Sequence, residues 1–210
     1  MQHPQFINLS ELIKETKLGG FEDQHKMIPP ERAEELARKQ VGKTPRKAAV
    51  LALFYPNKEG NTCLALTLRP QYKGTHSAQV SFPGGKHEET DTNLRETALR
   101  ETYEEVGIPK KDIVILREVT NVYIPPSNFM VTPFIGITKN TPVFKNNHEV
   151  EELIEVTLTD ILNDKFIGSE SKKSFYAENI KVPYFLFNDH IVWGATAMIL
   201  SEIKELIKRL

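Results

Sequence analysis

The sequence is poor in cysteine, in long apolar runs and in excess charge of either sign. Cys63 is the only cysteine, which excludes an intramolecular disulfide and a Cys-rich zinc site; in a strand-like run it reads as a small core residue. No apolar run approaches the roughly 18 residues of a membrane span, and the polar start MQHPQFINLSELIKE lacks the hydrophobic segment of a secretory signal. A cytoplasmic location is expected. At the C-terminus Lys208-Arg209-Leu210 puts a lysine where a peroxisomal address carries a small residue. Lys and Arg number 27 against 28 Asp and Glu, a formal net charge of -1. That balance gives no bulk attraction to nucleic acid or an anionic membrane, so any recognition of phosphate has to be local. Repeats and low-complexity tracts are missing too, and 210 residues with 40% hydrophobic content suffice for one substantial core. The organisation expected is an N-terminal helical arm over 1–45 and one domain over 46–210.

What the chain does have is concentrated between Gly84 and Ile108, GGKHEETDTNLRETALRETYEEVGI. Glu101, Glu104 and Glu105 stand at i, i+3 and i+4, which places them within about 100° of one helix surface. Leu99, Tyr103 and Val106 fall on the roughly opposite side and predict an apolar face. Asn93 with Glu96 three positions on reads as a capped start, and Gly107 as a left-handed stop. Carboxylates so spaced repel one another on an ordinary solvent-facing helix, and no Lys follows to relieve them. Crowded hard oxygens are what Mg²⁺ or Mn²⁺ takes as ligands, the cation then bridging them to substrate phosphate. A bare E-x-x-E-E is more often a solvated acidic surface; the flanking glycines and Arg100 separate this one from that background.

Together these residues resemble the Nudix box, G-x5-E-x7-R-E-U-x-E-E-x-G-U with U aliphatic. Gly85, Arg100, Glu101, Glu104, Glu105, Gly107 and Ile108 match it. Asp91 replaces the first glutamate, eight residues rather than seven separate it from Arg100, and Thr102 occupies an aliphatic position. The Asp and the insertion are similar to the coenzyme A diphosphatase branch. That branch carries a second signature, L-L-T-x-R-[SA]-x3-R-x3-G-x3-F-P-G-G, which Leu66, Thr67, Arg69, Phe82, Pro83, Gly84 and Gly85 match. Ala65, Pro70, Gly74 and Ala78 depart from it. Gly74 stands for an arginine whose forked guanidinium would suit phosphate; Lys73, one position earlier, offers a point charge instead.

The resemblance implies a Nudix α/β/α sandwich with a mixed sheet over 46–210. It implies Glu101, Glu104, Glu105 and the Gly85 carbonyl as ligands of Mg²⁺ or Mn²⁺, with Arg100 bonding a box carboxylate bidentately. Asp91 would cap the helix or orient Arg100 in preference to touching the metal directly. Glu149, ahead of Glu152, is the expected general base from outside the box. Arg69, Lys73 and His76 could meet substrate phosphates, and Phe82 or Trp193 a base, although core packing is the simpler use of both aromatics. The implied activity is metal-dependent hydrolysis of the diphosphate of coenzyme A or acyl-coenzyme A. Rival readings are a Nudix enzyme for ADP-ribose, a dinucleotide or a nucleoside triphosphate, and a non-catalytic nucleotide sensor, which would normally carry a degraded box. The expected partner is thus a small nucleotide diphosphate of the coenzyme A class, with no nucleic acid and no membrane; a homodimer stays open.

Elsewhere, residues 7–18 carry a helical pattern ending at Gly19-Gly20, and Pro29-Pro30 opens a helix over 31–40. Residues 47–55 and 62–69 read as a hairpin. A strand is expected over 113–122, another over 129–137 interrupted by Pro133, and a third over 149–156 leading to a short helix at 159–162. Residues 163–179 read as a surface excursion, 180–187 and 190–193 as strands, and 195–208 as a closing helix. This order predicts a mixed sheet with helices on its faces.

Overall fold

The computed structural model describes residues 1–29, 44–71, 78–172 and 180–210, which form an α/β/α sandwich. Its axis is β1 (Arg46–Pro56), apolar on both faces and buried along most of its length, as a central strand covered on two sides must be. One edge of β1 runs parallel to β7 (Phe129–Ile137). The other edge is shared. The C-terminal end of β1 forms the expected antiparallel hairpin with β2 (Thr62–Leu68), Phe54 opposite Leu64. Its N-terminal half pairs instead with β4 (Gly84–Lys86), Ala48 opposite Lys86 and Val50 opposite Gly84. The division brings the Gly84–Gly85 backbone against the central strand.

The remaining strands extend this frame. β2 also pairs with β3 (Val80–Ser81) and β8 (Glu152–Thr157), and β5 (Val114–Glu118) and β6 (Val122–Ile124) lie antiparallel to β7. A second sheet holds β9 (Ile167–Lys172), β10 (Ile180–Phe187) and β11 (His190–Trp193) in the order β11-β10-β9. The period of two along β1 sorts the core. Ala49, Leu51 and Leu53 pack with Ala98, Leu99 and Val106 of α4 (Leu94–Val106). Ala48, Ala52 and Phe54 belong to the larger cluster on the opposite face, with Met198, Leu200 and Ile203 of α6 (Gly194–Lys208). No helix among the described residues is long and apolar enough to cross a membrane.

The helix expected over 7–18 is instead the end of α1 (His3–Asn8) and α2 (Ser10–Glu15), and a third short helix, α3 (Phe21–His25), follows Gly19-Gly20. Their turns let Phe6 and Ile13, both fully buried, enter the larger core cluster, and Gly20, at φ 62, precedes α3 as its N-cap. The helix expected at 31–40 lies outside the described residues.

Several strand expectations need correction. Pro133 does not interrupt β7. Its carbonyl accepts from the Val119 N–H at 2.9 Å on the β5/β6 side, so its missing N–H falls in the gap between the β6 ladder, which ends at Val131, and the β5 ladder, which begins at Phe134. That same gap splits the single strand expected over 113–122. β8 starts at Glu152 rather than 149, because the Asn147 side chain accepts from the Glu149 N–H at 2.8 Å and holds a turn there. Part of the expected surface excursion is β9, which pairs with β10 from Ile167 to Lys172. The expected short helix is α5 (Leu158–Leu162), capped by Thr157.

Candidate functional site

Helix α4 has the ends its sequence predicts. The Asn93 Oδ1 accepts from the Glu96 N–H at 3.0 Å, and Gly107, at φ 76, returns its N–H to the Tyr103 carbonyl. The buried side is rotated from expectation: Ala98, Leu99, Thr102 and Val106 face the core, while Tyr103 is 55% exposed. Thr102 tolerates an apolar position because its Oγ1 donates to the Ala98 carbonyl at 2.7 Å. The rotation gives the three glutamates different surroundings. Glu105 is 4% exposed, whereas the side chains of Glu101 and Glu104 are 14% and 50% exposed.

Strand β4 lies along the more buried end of this gradient. The Gly84 N–H donates to Glu105 Oε2 at 3.0 Å. A Cβ on Gly85 would stand 2.5 Å from the carboxyl carbon of Glu101, and one on Gly84, at φ 152, would collide with the Ala49 carbonyl. Only glycine lets the backbone come this close to the carboxylates.

Arg100 fixes the outer end. Its Nε and Nη2 fork onto Asp91 at 2.9 and 3.0 Å, its Nη1 donates to Glu101 Oε1 at 2.9 Å and Glu104 Oε2 at 3.0 Å, and its Nη2 also reaches the Lys86 carbonyl. The bidentate partner is therefore Asp91, and each glutamate receives a single bond. Two planar oxygens nine residues away match the guanidinium fork better than neighbours on the same helix can. Asp91 also accepts from Thr97 Oγ1 and the Glu88 N–H. The Arg100 guanidinium holds its carboxyl well below the usual carboxylate range.

The inner carboxylates are strained in the opposite sense. Burial pushes Glu105 up to about 7, against the Gly84 N–H and the charge of Arg69, with Glu101 and Glu149 adding repulsion. Burial likewise raises Glu101 more than Arg100 lowers it, and Glu104 and Glu149 raise it further. Glu149 thus acts electrostatically on both buried glutamates from the turn before β8.

These residues fit a hard divalent cation by their donor set of carboxylates and a carbonyl, by the space the absent Gly85 side chain clears, and by charge repulsion that a cation would relieve. Among the described residues no three acidic, His or Cys groups already stand at ligating separations, since Arg100 draws Glu101 and Glu104 to itself. A cation would compete with the guanidinium for those oxygens.

On the other face of β4 is a cavity of ≈ 520 Å³ between β1, the segment 124–129 and the start of α6. Arg69 lines it, and so does Phe82, which is 2% exposed and belongs to the larger core cluster. Phe82 is a packed wall residue with little surface left for a ligand. Lys73 and His76 lie outside the described residues. Lys86 and Ser127 also line the cavity and were not singled out from sequence. The strand alternation that turns Gly85 toward Glu101 was the signal for Lys86; Ser127 had none.

A family model described as the NUDIX domain matches residues 45–178. The uncharacterized Nudix hydrolase NudL of Yersinia pestis (strain Pestoides F) is 31% identical over 201 residues, spanning 94% of this chain and 98% of that protein. Among solved structures, RenU, a Nudix hydrolase from M. smegmatis, aligns with a TM-score of 0.53 at 16% identity over 79% of this chain and 88% of its own. The MutT protein from Methanosarcina mazei Go1 aligns with a TM-score of 0.50 at 19% identity over 81% and 100%. At such identities these two likenesses concern the fold.

Proposed function

We propose that this chain, which belongs to the Nudix hydrolase family, hydrolyses the diphosphate bond of coenzyme A or an acyl derivative, giving phosphopantetheine or its acyl form and adenosine 3′,5′-bisphosphate. The observation that carries this reading is the contact of the Gly84–Gly85 strand with Glu101 and Glu105, beside a cavity whose wall includes Arg69. Arg69 belongs to the same segment as Leu66, Thr67 and the Phe82-Pro83-Gly84-Gly85 turn.

Glu101, Glu104, Glu105 and the Gly85 carbonyl would hold Mg²⁺ or Mn²⁺, which when bound supplies charge stabilisation at the phosphoryl oxygens and makes a water more acidic. Arg100, itself locked on Asp91, keeps Glu101 and Glu104 turned to one side of the helix. Glu149 takes the proton of the attacking water. The water oxygen bonds to one phosphorus, the bridging P–O bond breaks, and the leaving phosphate keeps the bridging oxygen. Arg69 offsets phosphate charge from the cavity side, with Lys73 and His76 as further phosphate contacts. The site of action is the cytoplasm.

The test is incubation of pure protein with Mg²⁺ or Mn²⁺ and, separately, coenzyme A, acetyl-coenzyme A, ADP-ribose, NADH and a nucleoside triphosphate, with product masses read out. Cleavage of the two coenzyme A compounds at the diphosphate, abolished by EDTA, is expected. Preferred cleavage of ADP-ribose, the dinucleotide or the triphosphate would replace the substrate, and full turnover in excess EDTA would remove the mechanism.

A further inference from the structure

The carbonyls of Glu105 and Val106, at the C-terminal end of α4, have no partner inside the helix. The chain after β7 takes both. The Lys145 N–H donates to Val106 at 3.0 Å and the Asn147 N–H to Glu105 at 3.1 Å. Gly107 permits this approach, since a Cβ there would stand 2.9 Å from the Lys145 Cβ. The segment is anchored on either side of these contacts. Phe144 meets the Tyr55 ring edge-on at 5.0 Å, and the Glu151 N–H donates to the Leu68 carbonyl at 2.9 Å where β8 comes alongside β2.

Asn147 engages its side chain as well. Its Oδ1 accepts from the Glu149 N–H at 2.8 Å and its carbonyl from the Val150 N–H at 3.3 Å, so a side-chain turn closes over a backbone turn. Two hydrogen bonds through one residue therefore join the backbone of Glu105 to that of Glu149. The Glu149 carboxylate is exposed and makes no hydrogen bond or ion pair with the described residues, yet its charge is felt at both Glu101 and Glu105. With nothing among those residues gripping the carboxylate, its place beside α4 depends on where the turn holds its backbone.

We infer that Asn147 is a positioning residue, whose side chain fixes Glu149 relative to Glu105 so that the Glu149 carboxylate reaches the attacking water. The inference rests on the reading of Glu149 as general base, and not on which diphosphate is cleaved. A base must stand within hydrogen-bond reach of the proton it takes, and a misplacement of about 1 Å can cost roughly a hundredfold in rate. A residue that only formed the turn would add stability and leave kcat per folded molecule unchanged.

Asn147→Ala removes the side-chain acceptor and keeps the backbone N–H, whereas Asn147→Asp keeps both. With Mg²⁺ and whichever diphosphate the protein cleaves, Asn147→Ala should lower kcat roughly tenfold with KM changed by less than about twofold, and Asn147→Asp should regain most of the loss. Glu149→Gln should lower kcat by roughly a hundredfold or more. Adding Asn147→Ala to Glu149→Gln should then cost less than about twofold further, because residues that act through one another are not additive. Amide hydrogen exchange without substrate gives a second readout, with faster exchange at Glu149 in Asn147→Ala and protection restored in Asn147→Asp. A normal kcat in Asn147→Ala, no rescue by Asn147→Asp, or the same tenfold loss in the Glu149→Gln background would overturn the assignment. The two failures are told apart by Glu149→Gln alone. Full turnover there overturns the general base and the role of Asn147 with it, while a large loss there beside a normal rate in Asn147→Ala removes only the role of Asn147.

Discussion

Glu105 on α4 and Glu202 on α6 are both buried carboxylates on long helices, 4% and 0% exposed, and the protein treats them in opposite ways. Glu202 accepts from the Gly20 N–H, Gln24 Nε2, the Thr120 N–H and Thr120 Oγ1 at 2.6 to 3.3 Å, four donors that replace the water it lost. Among the described residues Glu105 receives one donor, the Gly84 N–H, and it faces the charges of Glu101 and Glu149. Glu202 is a joint between the N-terminal helices, the segment after β5 and α6. Glu105 is left short of compensation, as a ligand awaiting a cation would be.

The comparison breaks most sharply in activity. Glu105→Gln and Glu101→Gln keep size but remove ligand charge, and each should lower turnover by roughly two or more orders of magnitude with the fold intact; steady-state kinetics beside circular dichroism would show it. Near-normal rates in both would place the metal elsewhere.

The next largest effect is on the pH dependence of stability. Because Glu105 is raised from 4.5 to about 7 in the folded protein, its contribution is fully present below the unfolded value and is lost as pH rises through the folded one. Unfolding titrations of metal-free protein should therefore lose up to about 3 kcal/mol across that window from this group. Glu105→Gln should erase the slope and leave the metal-free protein more stable at neutral pH. Glu202→Gln should do the reverse of Glu105→Gln. An amide nitrogen would face donors it cannot accept from, costing about 2–3 kcal/mol, while turnover per folded molecule stays unchanged.

Arg100→Lys keeps the charge but not the fork onto Asp91, and a loss of roughly tenfold to a hundredfold in kcat is expected with little change in stability. The smallest effect is at the helix start, where Asn93→Ala should cost about 1 kcal/mol in denaturant unfolding.

Glu105 was legible in the sequence and Glu202 was not, and the reason is distance along the chain. The box glutamates, the Asn93 cap, the Gly107 stop and the hairpin at Pro56 depend on neighbours a few residues away, so spacing displays them. Glu202 takes its donors from Gly20, Gln24 and Thr120, at least 82 residues distant, and no local pattern announces such a meeting. The misread details share this origin. Tyr103 looked like core because the α4 face was drawn opposite the carboxylates, whereas Glu105 itself is buried and the core face is rotated toward it. Pro133 looked like a break because nothing local shows that β5 and β6 leave a gap opposite it. Asp91 was read as capping the helix or orienting Arg100, and its hold on both nitrogens of the fork emerges only where the loop folds back over the helix.

The undercompensated carboxylates of α4 are expected to bind a divalent cation. Calorimetric titration of Mn²⁺ into the unsubstituted protein, Glu105→Gln and Glu202→Gln at neutral pH tests it most directly. Binding with proton release is expected in the unsubstituted protein, because Glu105 must give up its proton to ligate. Glu202→Gln should bind alike, and Glu105→Gln should lose most of the affinity together with the proton release. Equal Mn²⁺ binding in Glu105→Gln and the unsubstituted protein would contradict it.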